Sequence, residues 1–267
     1  MTPRRDRPAR PHPEGPDHHG PAPDGLDHDG PARDGPESGL ADTEVLPRSF
    51  FERPSVQVAP ELLGCVISHD TAEGRVTLVL VEVEAYAGEA DPASHAFRGR
   101  TGRNAVMYGP PGHAYVYFTY GMHYCVNLVC EPEREASAVL LRAGRVIDGV
   151  PLARARRSGA ARQPRDLDLA RGPARLCEAL GIDRSHDGAD VADPASPLRV
   201  FSARAPVRPA DISRGPRVGI SRAADVTWRF WITGEPAVSP YRAHVPRRRA
   251  GAKPVTGRSR ESGTMPA

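Results

Sequence analysis

Lysine is almost missing from this sequence: of its 36 basic residues only Lys253 is a lysine, and the rest are arginines. The foldable part therefore offers no side-chain amine for Schiff-base chemistry. Cysteine is sparse, and Cys65, Cys125, Cys130 and Cys177 form no C-x-x-C pair and no zinc or iron–sulfur spacing. Cys65, Cys125 and Cys177 lie among apolar neighbours and read as buried free thiols. No His/Asp cluster at ligand spacing occurs between the termini, so a metal-dependent hydrolase is disfavoured and neither metal nor cofactor is expected. No apolar run is long enough to span a bilayer, and the N-terminus lacks the apolar segment of a secretory signal. A reduced, cytoplasmic protein with no membrane partner is expected.

What the sequence has in excess is proline and glycine, 29 and 26 residues, concentrated toward the N-terminus. Residues 1–44 repeat a short Pro/Asp/Gly/His theme with almost no aliphatic content and cannot offset their ordering entropy. They are expected to form a disordered tail. Residues 246–267, with Arg247-Arg248-Arg249, read as a second, basic tail, and residues 45–245 as one domain. Net charge is only +3, but the acidic N-terminal stretch masks a more basic body, compatible with a polyanionic partner.

Within the domain, Pro60–Leu63 reads as a short helix stopped by Gly64, and residues 75–85 as a Val/Leu-rich strand. Asp91-Pro92 reads as a helix start, with Asp as cap and Pro at the first position. Thr101 can cap a second short helix through Asn104 and Met107. Residues 115–120 and 124–129 form a hairpin about Gly121-Met122-His123, and residues 138–142 a further strand. Gly172-Pro173 opens a helix that Gly181 closes, and residues 198–201, 216–220 and 228–232 read as later strands. Many short strands and few helices predict an α+β domain on a curved, largely antiparallel sheet, with short helices and a protruding hairpin.

Alternation along the first long strand puts Val76, Leu78, Leu80, Glu82, Glu84 and Tyr86 on one face. Two carboxylates that follow three core residues either surface at the sheet edge beside arginines or serve chemistry, because burying them unpaired is costly. Periodicity leaves both options open. Six of the seven tyrosines lie between Tyr86 and Tyr124. In the hairpin Tyr115 and Tyr117 face one way, and Val116, Phe118 and Tyr120 the other. Such stripes usually pack across strands, yet Tyr120 sits at the tip, where packing partners run out. Exposed aromatics near a carboxylate, His95 and several arginines suit base stacking.

Four segments carry a resemblance: Val81-Glu82-Val83-Glu84-Ala85-Tyr86, Asp91-Pro92-Ala93-Ser94-His95, Thr101-Gly102-Arg103-Asn104 and residues 115–122 (Tyr-Val-Tyr-Phe-Thr-Tyr-Gly-Met). In order and spacing they resemble the alkyladenine (3-methyladenine) DNA glycosylase family. Cys125-Val126-Asn127, residues 138–143, 172–177 and 216–220 extend the match over roughly residues 46–240. The resemblance implies a formyltransferase C-terminal-like fold and a bacterial base-excision repair enzyme. By the same analogy Glu84 is the base that activates water. Tyr86 stacks on one face of the flipped purine, with His95 and Tyr117 on the other. Tyr120 fills the vacated stack, Asn127 rejects the exocyclic amine of guanine, and Arg142 helps hold the flipped nucleotide. Phosphate contacts fall to Arg98, Arg100, Arg103, Arg217 and Arg222 and to the helix start at Pro173.

Damaged double-stranded DNA is the expected partner of a monomeric protein associated with the nucleoid. With no lysine in the domain, hydrolysis without strand cleavage is expected. A non-catalytic binder of damaged bases would not need Glu84, and a hydrolase of free nucleosides or tRNA would not need the wedge at Tyr120.

Overall fold

The computed structural model describes residue 40 and residues 43–119, 121–159 and 163–244. The expected tails, 1–44 and 246–267, therefore lie almost wholly outside the described residues, and so does Tyr120. Among the described residues nine strands form one sheet: β1 (Val66–Thr71), β2 (Gly74–Ala87), β3 (Ala114–Thr119), β4 (His123–Cys130), β5 (Ser137–Asp148), β6 (Ala170–Arg171), β7 (Leu198–Phe201), β8 (Ile212–Gly215) and β9 (Arg229–Ile232). The order is β3-β4-β5-β2-β1-β7; β6 pairs with β5, and β9 bridges β2 and β8. Every pairing among these strands is antiparallel, as a chain of hairpins and short returns requires. The short helices α1 (Arg48–Phe51), α2 (Ser55–Glu61), α3 (Val150–Arg156) and α4 (Pro173–Leu180) complete an α+β domain.

The main core covers one face of the sheet, where Leu78, Leu80, Val83, Val116, Val126, Leu128, Val139 and Leu141 pack with Phe51 and Val58 and with Leu176 and Leu180 of α4. α4 begins at Pro173 and ends on Gly181 in the left-handed conformation, φ 72°. This is the proline-start, glycine-stop pattern expected from its sequence.

The long strand departs from strict alternation. Val76, Leu78 and Leu80 enter the main core, but so do Val83 and Ala85. Between Leu80 and Glu82 the register against β5 slips: Leu80 faces Gly144 and Glu82 faces Ala143, leaving Val81 as an extra residue. Glu82 and Glu84 thus lie on the face opposite Leu80, and the expectation that all six residues share one side is corrected. A second slip has Glu82 facing Ala143 and Val83 facing Leu141, which makes Arg142 the extra residue on β5. The two irregularities bring Glu82, Glu84 and Arg142 onto one face.

Local expectations fail at four other places. Asp91-Pro92 starts a series of turns rather than a helix; Asp91 Oδ1 accepts from the Ala93 amide at 3.0 Å, and the following Gly99 and Gly102 do not sustain helical propagation. The segment after Thr101 forms only one 3₁₀ turn, Ala105–Tyr108. Pro60 lies near the end of α2 instead of opening a helix. Residues 216–220 are irregular and the strand precedes them as β8, because Pro216 has no amide hydrogen to donate and the Val218 amide donates to Glu84.

Candidate active site

The face opposite the main core carries a cavity of about 330 Å³, within the size range of small-ligand sites. Alternation builds its floor from four adjacent strands: Glu84 and Tyr86 from β2, Tyr115 and Tyr117 from β3, Cys125 and Asn127 from β4, and Leu140 and Arg142 from β5. Two loops close the sides, one with Ala93, Ser94 and His95, the other with Val218, Gly219 and Ile220. Pro173, the first residue of α4, also reaches the wall. Residues spread over the chain from Glu84 to Ile220 thus meet in one depression.

Glu84 is fully buried. Its Oε1 accepts from the Val218 amide at 2.7 Å and lies 3.3 Å from Arg142 Nη1, while its Oε2 accepts from the Tyr86 hydroxyl at 2.8 Å. Two hydrogen bonds and an ion pair therefore fix the carboxylate at the bottom of the cavity. Burial and the negative Glu84 push the Tyr86 phenol well above its ordinary value, so it remains a donor at neutral pH. Burial does the same to Tyr117. Arg142 is buried too and divides its guanidinium among Glu82 (Nε to Oε1, 2.8 Å), Glu84 and the Ser239 hydroxyl.

The walls are aromatic. The His95 ring meets Tyr117 edge-on at 4.5 Å between centroids, and its Nδ1 lies 3.1 Å from the Tyr115 hydroxyl. One side of His95 is open to solvent and the other lies against these rings; this partial desolvation, with the positive Arg103 nearby, lowers its pKa. A neutral imidazole results at neutral pH, which does not repel a cationic guest. Asn127 is buried and donates from Nδ2 to the Tyr115 carbonyl at 3.2 Å.

The arginines singled out from sequence divide into two groups. Arg98, Arg100, Arg103 and Arg222 are exposed. Arg103 lies 5.9 Å from the centre of the Tyr117 ring and Arg222 5.8 Å from that of Phe97. Arg98 and Arg222 line a second depression of about 350 Å³ that shares Ser94, His95 and Gly219 with the first. Arg217 is different. It is 1% exposed, forms a two-pronged ion pair with Asp91 (Nη2 to Oδ1, 2.9 Å), and donates to the Ala85 carbonyl. Its guanidinium sits 4.7 Å from the Tyr86 ring centre and 5.2 Å from that of Trp228. It is thus a buried support behind Tyr86, out of reach of a phosphate at the surface.

Several site groups were missed from sequence. The Val218 amide carries no side-chain signal. Cys125, expected to be a buried free thiol, lines the cavity, and burial pushes its thiol up. The strand pattern singles out Glu82, but nothing in the sequence points to its partners Arg229 and Ser239. Among the described residues no group of three or more His, Cys, Asp or Glu side chains could hold a metal ion, and no helix is long and apolar enough to cross a membrane.

Residues 49–236 match the family model of the methylpurine-DNA glycosylases. A Streptomyces avermitilis protein named as a 3-methyladenine DNA glycosylase is 56% identical over 210 residues, covering 78% of this chain and 97% of its own length. Proteins of the same name from Leifsonia xyli and Burkholderia lata are 54% and 48% identical, over 74% and 73% of this chain and 92% and 91% of theirs.

Proposed function

The chain belongs to the methylpurine-DNA glycosylase family, and from that premise we propose that it is a monofunctional glycosylase that flips alkylated or deaminated purines out of duplex DNA and hydrolyses their N-glycosidic bond. The observation that carries this reading is a buried carboxylate, Glu84, held by two hydrogen bonds and an ion pair at the floor of an aromatic-walled cavity. In the proposed reaction Glu84 takes a proton from a water that attacks C1′. The purine leaves with the electron pair of the glycosidic bond, and an abasic site remains.

Tyr86 stacks on one face of the flipped base and Tyr117 and His95 contain the other, an arrangement that favours cationic N-alkylpurines through cation–π attraction. Asn127 screens the exocyclic amine of guanine, and Arg142 steadies both Glu84 and the nucleotide. Tyr120 enters the duplex, and Arg98, Arg100, Arg103 and Arg222 meet phosphates. Extrusion costs least at a weakly paired lesion, which adds selectivity. Without a lysine in the domain, no Schiff base forms at C1′ and the strand stays intact.

The test is excision from duplexes carrying one hypoxanthine, ethenoadenine or N-methylated purine, with abasic sites read before and after alkali. Wild type should excise base and yield strand breaks only after alkali. Glu84→Gln should lose on the order of 10²–10⁴-fold in rate, the usual contribution of a positioned general base. Tight lesion binding with no excision would replace this reading with that of a damage-recognition protein, and a borohydride-trapped adduct would overturn the monofunctional assignment.

A further inference from the structure

Behind the site lies a buried network of charges of which the proposed reaction uses only Arg142. Glu82 is fully buried. Its Oε1 accepts from Arg142 Nε at 2.8 Å, Arg229 Nε at 2.7 Å and the Ser239 hydroxyl at 2.9 Å, and its Oε2 accepts from the Ser239 amide at 2.7 Å. Arg229 is anchored in turn by the Ser239 carbonyl at 2.8 Å and lies 4.7 Å from the centre of the Trp231 ring. Burial alone would raise the Glu82 carboxyl; the two arginines outweigh it and hold the group below the ordinary range. Glu82 is therefore charged whenever the protein works. Among the described residues the charges in direct contact around the reacting end are two carboxylates, Glu82 and Glu84, and two guanidiniums, Arg142 and Arg229. The other titratable groups lining the cavity are Tyr86, Tyr115, Tyr117 and Cys125, kept protonated by burial, and His95, whose pKa burial lowers.

We propose that Glu82 is a positioning residue for base excision, which aims Arg142 at Glu84 and balances its charge so that the pocket does not repel the cation forming at the sugar. The inference rests on Glu84 being the general base. Hydrolysis of a glycosidic bond passes through an oxocarbenium-like transition state, so an unbalanced guanidinium beside C1′ would raise the barrier at the point where preorganised charge matters most. Glu82 removes that penalty in two ways. It fixes Arg142 through Nε, which leaves Nη1 toward Glu84. It also supplies the negative charge that offsets Arg142 without itself touching substrate, since it is absent from the cavity lining. The adjacent slips in β2 and β5 serve this arrangement, because they set Glu82 on the same face as Glu84 and Arg142.

The test is single-turnover excision of 7-methylguanine from duplex DNA by the full chain, with lesion-duplex Kd measured alongside. This lesion is already cationic and needs no acid, so the rate reports attack by water rather than protonation of the leaving base. Glu82→Gln should lower the rate on the order of 10²-fold, the scale of a small misplacement of reacting groups, with Kd changed far less than the rate. Glu82→Asp, which keeps the negative charge, should recover part of the rate. Arg229→Met, which leaves Glu82 to Arg142, should slow excision less than Glu82→Gln does. A residue that merely supports the fold would not separate rate from Kd or be rescued by the shorter carboxylate. A wild-type rate in folded Glu82→Gln, or a rate and Kd that fall together, would overturn the proposal. If Glu82→Gln does not fold, a wild-type rate in Glu82→Asp overturns it and a reduced rate at nearly unchanged Kd supports it. Full activity in Glu84→Gln would instead remove the base assignment on which the proposal rests.

Discussion

Arg217 shows how one side chain links the fold to the site. It is fully enclosed, its two terminal nitrogens hold Asp91, and the rings of Tyr86 and Trp228 flank it. Its Nε finds no acceptor among the described residues, so the ion pair and the two rings, rather than a complete hydrogen-bond set, keep it in place. Breaking such a pair from one side strands the other charge in a low-dielectric interior. Arg217→Met should therefore cost about 3–5 kcal/mol of stability, measurable as a lower urea midpoint with an unchanged slope. A loss below about 1 kcal/mol would match an exposed pair and show that Asp91 is solvated in solution. Asp91 also shapes the turn leading to His95 through the Ala93 amide, so the same pair ties together the two loops that flank the pocket.

At the level of elements, the pairing of β2 with β5 does the most to place the chemistry. Strict alternation would have carried Glu82 and Glu84 to the side that packs against α2 and α4. The extra residue at Val81 prevents this, and Gly144 opposite Leu80 lets the strands approach there. A Cβ on Gly144 would fall 2.2 Å from Leu78 Cδ1 and 3.0 Å from the Val79 carbonyl oxygen. The buried Leu78 side chain must therefore move within a packed core, and the backbone at Val79 must give as well. Gly144→Ala is expected to cost about 1–3 kcal/mol as an overpacked core substitution, read from the urea midpoint. An unchanged midpoint would mean that the register slip can relax without a glycine.

For the molecule as a whole, the direction of the titration shifts predicts how stability follows pH. His69 is buried, donates from Nδ1 to the Leu180 carbonyl at 2.8 Å and lies edge-on to His186. Burial lowers its pKa. A histidine held neutral in the fold contributes stability above its unfolded value, about 6.5, and loses it as pH falls through the lower folded value. The carboxylates behave likewise in a more acidic window: hydrogen bonding to Arg75 holds Asp70 low, and Arg48 outweighs burial at Asp190. Their contribution is present above about pH 4 and disappears as pH drops through their folded values. Both effects have the same sign, so the Tm should fall in two stages on acidification, the first beginning near neutrality. His69→Gln should flatten the first stage only. A Tm that rose between roughly pH 7 and 5.5 would contradict this assignment.

The amino-acid sequence alone determined the class of fold, the hairpin, helix α4 and the motifs that resemble a glycosylase family. These are signals of local period, of turn chemistry and of residue order, which a chain carries without its tertiary partners. It also marked Glu84, Tyr86, His95, Tyr117, Asn127 and Arg142 before any geometry was known, and the fold brings these six to one cavity. Only the tertiary structure decided which face the two glutamates occupy, because a register slip depends on the partner strand and leaves no mark in a period of two. Only packing could separate Arg217 from the exposed arginines, since an arginine in a loop looks the same whether it meets solvent or a buried aspartate. The Val218 amide and the Glu82–Arg142–Arg229 network arise in the same way, from backbone groups and charges far apart in sequence, whose burial leaves each other as their partners.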